Sequence, residues 1–158
     1  MANDMGDIRS TLNDLIETCK DSEEGFRSAA AKLKDAQIHS LFLNYSLQRA
    51  GFAGELQSEV TRLGGEPAQS GTTVGAIHRG WIGLKTALTG DSDHAIFEEA
   101  ERGEDAAVKN YRDAIGKDLP SDLKSIVSRQ FQEVLQTPNA VRALRDTNRT
   151  TTSTAGLA

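Results

Sequence analysis

The chain has 158 residues, 37% apolar, 26% charged and only 5% aromatic, a size suited to one domain and a balance suited to helices with charged outer faces rather than a sandwich or barrel. Its net charge of -5, with basic residues scattered, excludes the basic surface that sequence-independent binding of nucleic acid or an anionic membrane requires. Cys19 alone allows no internal disulfide, no secretory leader opens the chain and no apolar run reaches the roughly 18 residues of a membrane span, so a reducing, cytoplasmic location is expected.

Ile8, Leu12, Leu15, Cys19, Ser22, Phe26, Ala29 and Leu33 recur at alternating four- and three-residue steps, which predicts a long bundle helix from about Asp7 to Lys34. Glu23 flanks this seam while Glu24 faces outward. Asp35 is placed to cap a second helix, whose face runs through Ile38, Phe42, Tyr45, Arg49, Phe52, Leu56, Val60 and Leu63 and stops at Gly64-Gly65 and Pro67. Glu55 borders that face.

From Gly65 to Asp91 the composition turns to Gly, Ser and Thr, yet Val74, Ile77, Trp81, Leu84 and Leu88 keep helical spacing. A crossover carrying a short amphipathic helix is predicted, long enough to return along the bundle and leave helices two and three parallel. Trp81 reads as a core or interface residue, with self-association as one use of its face.

Asp91 or Ser92 can cap the third helix. Its seam is Phe97, Ala100, Glu104, Ala107, Tyr111 and Ala114, with His94, Glu101, Val108 and Ile115 on the adjacent line, so Glu101 and Glu104 both point inward. Pro120 opens the fourth helix, whose seam is Leu123, Val127, Gln130, Val134, Thr137, Val141 and Leu144, with Glu133 beside it. Pro138 should kink or end that helix, since it offers no amide and its ring opposes the Val134 carbonyl. The bundle domain is therefore placed at 1–146, and the Thr/Ser-rich residues 147–158 are expected to form a disordered tail.

The inward acids are the candidate functional residues. Glu23 and Glu55 on the first hairpin match Glu101 and Glu133 on the second at equal spacing, and Glu104 is a fifth. Three glycines, Gly25, Gly54 and Gly103, each stand within two residues of an inward acid, where each costs roughly 1 kcal/mol against alanine. Close helix approach or a local π-bulge would compensate.

Paired helical hairpins, a long crossover and inward acids on four helices resemble the ferritin-like superfamily, in which such carboxylates hold two metal ions. More closely, DLIETCKDSEEGF, LGGEPAQSGTTVGAIHRGWIGLKTALTG, HAIFEEAERGEDAAV and VRALRD resemble an uncharacterised bacterial family of ferritin-like four-helix-bundle proteins, over about residues 7 to 146. That resemblance implies an all-α fold and no established activity. Superfamily members that bind two irons place a histidine three residues after a glutamate on two helices; here Ser58 follows Glu55 and Gln136 follows Glu133. Members of the closer family often carry His-Asp near the end of helix four, where Pro138-Asn139 stands. His39 and His94 lie too far along their helices to replace these ligands, and His78 falls in the crossover.

Two readings follow. In the first, the acids form an ion-pair and hydrogen-bond network with Arg27, Arg49, Arg102, Arg129, Gln48, Gln130 or Tyr111, and the protein is a non-enzymatic cytoplasmic bundle with a structural, partner-binding or, by superfamily analogy, stress-related role. In the second, Glu23, Glu55, Glu101, Glu104 and Glu133 bind or oxidise iron or manganese, metals suited to an all-oxygen site. No catalytic or cofactor-binding residue is assigned in the first reading. Neither nucleic acid nor membrane is expected as a partner, and a homo-oligomer or protein partner is left open.

Overall fold

The computed structural model describes residues 4–71, 81 and 93–157, with side chains as far as residue 147. Among the described residues there are four helices and no strand: α1 (Met5–Ala30), α2 (Ala36–Arg62), α3 (Asp93–Ile115) and α4 (Ser121–Leu157). Apart from Trp81, the expected crossover helix and the Asp91 or Ser92 cap lie outside these residues, as does His78.

Local capping chemistry sets the helix limits. α1 begins before Asp7 because Asp4 is its cap, accepting from the Asp7 amide at 2.8 Å. It ends at Ala30, short of Lys34, although Leu33 beyond the turn is still buried. Asp35 caps α2 as its sequence position predicts, accepting from the amides of Gln37 and Ile38 at 2.9 and 3.0 Å. His39 Nδ1 lies 2.7 Å from the Ala30 carbonyl, giving the free end of α1 a partner across the turn. α2 closes in a Schellman motif: Gly64 takes φ 80°, and the amides of Gly64 and Gly65 bond the carbonyls of Thr61 and Val60, each at 2.9 Å.

Side-chain register fixes the directions. Thr18 meets Asn110 and Ser22 meets Glu104, so α3 descends as α1 ascends. Arg49 meets Thr137, Glu55 meets Gln130 and Arg62 meets Asp122, so α4 is antiparallel to α2. With α1 and α2 forming a hairpin, α2 and α3 run parallel, the arrangement that the long crossover permits. Close backbone approach is concentrated between α1 and α2, α3 and α4, and α1 and α3, while long polar side chains bridge α2 and α4.

The core has two apolar compartments. One gathers Leu12, Ile16, Cys19, Leu56, Tyr111 and Val127; the other gathers Phe26, Phe42, Trp81, Phe97, Ala100 and Val141. Aromatic edges organise the second: the Phe26 ring lies 5.3 Å from Phe42 and 5.2 Å from Trp81, both T-shaped. Between the compartments each helix places a polar residue inward: Ser22, Arg49, Glu104 and Thr137, all buried.

Pro138 does not end α4. The helix continues to Leu157, past the boundary at 147 where composition predicts a tail. Pro138 is itself buried, flanked by the buried Val134, Thr137 and Val141, so packing on both sides holds a helix that has lost one backbone hydrogen bond.

Candidate functional site

The polar layer is built around Glu104, which is 0% exposed, and Arg49, which is 1% exposed. Arg49 Nη1 donates to Glu104 Oε2 at 2.7 Å, and Nη2 closely approaches Oε1 without an aligned hydrogen bond. Ser22 donates to the same Oε2 at 3.0 Å. Arg49 Nη2 reaches Thr137 Oγ1 at 3.0 Å and Nε reaches Gln48 Oε1 at 3.3 Å, while the guanidinium carbon stands 5.7 Å from the Phe26 ring centroid. One ion pair therefore ties all four helices. Burial opposes the Arg49 charge, but attraction and hydrogen bonding to Glu104 raise its pKa above the ordinary arginine value. The guanidinium remains charged.

A second chain of hydrogen bonds crosses the first compartment. Gln130 Nε2 donates to Glu55 Oε1 at 2.7 Å and to the Phe52 carbonyl at 3.4 Å, and two acceptors on one side fix the amide so that its oxygen faces inward. Tyr111 donates to that oxygen at 2.7 Å. A phenol has one proton, so the Cys19 thiol, 3.0 Å from Tyr111 Oη, must be the donor in that contact. Burial raises the Cys19 pKa to about 11 despite the Tyr111 hydrogen bond, and burial, with Cys19 next, raises Tyr111 well above its usual value. At the outer end Arg129 pairs with Glu55.

Glu101 lies between two arginines of α4: Arg142 Nε at 3.0 Å and Arg145 Nη1 at 2.5 Å. With Glu98, Arg102, Asp105 and Arg145 it lines an open cleft of about 290 Å³. Burial and then the nearby Glu101 charge raise the Asp105 carboxyl above the ordinary carboxylate value.

The other candidate acids stand apart. Glu23 is half-buried and pairs with Lys20 at 3.1 Å, and Glu133 is exposed. Four of the five acids are thus divided among separate cationic partners and Glu133 is exposed, and among the described residues no group of three or more His, Cys, Asp or Glu side chains could hold a metal ion. His94 pairs with Glu98 at 2.8 Å. The periodicity missed two further buried acids: Glu99, 2.6 Å from Arg102, and Asp21. Asp21 lies where the loop passes close over α1, a Cβ on Gly71 falling 2.1 Å from Asp21 Oδ1, and helical spacing carries no sign of that contact.

Neither close helix approach nor a π-bulge accounts for the glycines beside Glu23 and Glu104. The Trp81 indole does: a Cβ on Gly25 would lie 2.4 Å from Trp81 Cδ2, and one on Gly103 would lie 2.3 Å from Cε2. The two glycines open a slot between α1 and α3, and the indole fills it at 4% exposure. Trp81 is a core residue, so its ring is not available as an association face. Gly54 differs, since a Cβ there would meet nothing within 4 Å.

Two antiparallel helix pairs, with the second and third helices parallel, make a ferritin-like four-helix fold. In agreement, the chain superposes on the structure of a point mutant of Dps1 from Mycobacterium smegmatis with a TM-score of 0.72 over 89% of this chain and 96% of that one. At 16% identity the likeness is one of fold. A family model described as a domain of unknown function, DUF2383, matches residues 7–117, and the chain belongs to that family. No curated protein matches it. Among the described residues no helix is long and apolar enough to cross a membrane.

Proposed function

We propose that this chain is a non-enzymatic, cytoplasmic helical bundle with a structural or partner-binding role, and that its inward acids serve an arginine–carboxylate network. The observation that carries this reading is the Arg49–Glu104 pair, in which an arginine supplies the positive charge that a metal would otherwise bring to the most buried acid. Arg142 and Arg145 do the same for Glu101, and Arg129 for Glu55. The donor set does not fit a carboxylate-bridged iron or manganese centre, because its acids are already neutralised one by one and Glu133 faces solvent.

The test is anaerobic titration of the purified apo-protein with ferrous iron and with manganese, followed by oxygen on the iron sample. No stoichiometric binding and no oxidation are expected. Stoichiometric binding that Glu101→Ala abolishes would instead establish the carboxylate metal site.

A further inference from the structure

Across Ala36–Gly54 the only ionisable charges are Arg49, buried against Glu104, and His39, half-buried at the end of α1, in a chain that is 26% charged. Over that span the solvent-facing stripe of α2 is therefore free of charge: Ser40, Leu43, Asn44, Leu47 and Gly51 are all exposed. Leu47 is 70% and Leu43 37% exposed, one helical turn apart, and they form a ridge. Beyond them the backbone is bare, because a Cβ at Gly51 or at Gly54 would meet nothing within 4 Å. A leucine ridge and a glycine groove thus follow one another along the same helix face.

We infer that this face is where a second copy of the chain docks, α2 against α2 in antiparallel order. Turning a copy end for end sets its leucine pair over the glycine pair of the other, and both halves of the contact are satisfied by one two-fold operation. Charge selects the same occupant. A partner of opposite charge would find only the Glu55–Arg129 pair at the end of this stripe, already closed on itself, whereas two chains of net charge -5 repel least where each presents the fewest charges. Met5 and Leu135 are also exposed, but they belong to α1 and α4 and not to the α2 stripe. One helix pair lies at or below the small end of specific interfaces, about 1,200 Å², so the dimer forms and dissociates with concentration. The inference stands apart from how the buried acids are used.

Sedimentation velocity of the full chain over a concentration series tests it. A monomer–dimer equilibrium is expected, with Leu47→Glu moving the midpoint at least about tenfold higher in concentration and Met5→Glu leaving it unchanged. Gly51→Leu separates docking from folding: it should weaken the dimer by filling the groove while raising the thermal midpoint through better helix propensity. A chain that stays monomeric throughout, or a dimer indifferent to both Leu47→Glu and Gly51→Leu, overturns the assignment.

Discussion

Arg49 of α2 and Glu104 of α3 meet at the boundary between two apolar compartments, with Ser22 of α1 and Thr137 of α4 completing their coordination. A pair so placed is expensive to break and cheap to replace. Glu104→Leu alone should lower unfolding free energy by about 3–5 kcal/mol, because it leaves the guanidinium buried without a counter-charge. Arg49→Met combined with Glu104→Leu should recover most of that loss. Urea unfolding of both single variants and the double variant measures the coupling, and additive losses would show that the pair is not a unit.

The five candidate acids should separate in rank. Glu133→Ala is expected to change stability by no more than about 0.5 kcal/mol, because the side chain is exposed. Glu55→Ala removes one partner of Gln130 and a solvent-exposed pair with Arg129, a loss of about 1 kcal/mol. Glu104 should exceed both several-fold in the same unfolding experiment.

Two glycine substitutions should have opposite signs. Gly103→Ala drives a Cβ into the rigid Trp81 indole and should destabilise by about 1–3 kcal/mol, with a red shift of the emission as the ring leaves its slot. Gly54→Ala meets open space and should stabilise by about 0.5–1 kcal/mol through helix propensity. Thermal melts read both signs, and Trp81, as the only tryptophan, reports the first directly.

Cys19 gives stability an alkaline limit. Its folded pKa, about 11, lies above the ordinary 9.0, so the folded state holds the proton more tightly than the unfolded chain. The resulting stabilisation is complete below pH 9 and is lost as pH rises from there through 11. Cys19→Ser should flatten this limb, though Tyr111, shifted in the same direction, leaves some slope at higher pH. Thiol labelling below pH 9 should follow global unfolding rather than a fast exposed-cysteine phase.

Helical spacing and capping residues made much of the bundle legible in the chain itself. Asp35, Gly64 and Pro120 mark ends through local backbone chemistry, and the seams named Glu104, Gln130, Thr137 and Tyr111 as inward because a helix repeats every 3.6 residues whatever it packs against. Periodicity gives an angle around one helix and nothing of the neighbour opposite. It could not distinguish Glu104, sealed at the centre, from Glu133, which is exposed, since both sit within one step of a seam.

What the sequence by itself determined was therefore four helices, their caps and the seams that face the core. Only the tertiary structure decided that Arg49 meets Glu104, that Gly25 and Gly103 are a slot for Trp81, and that Leu43 and Leu47 face solvent. Ion pairing, steric fit and exposure each depend on distances between residues far apart in the chain, and those distances exist only once the helices have packed.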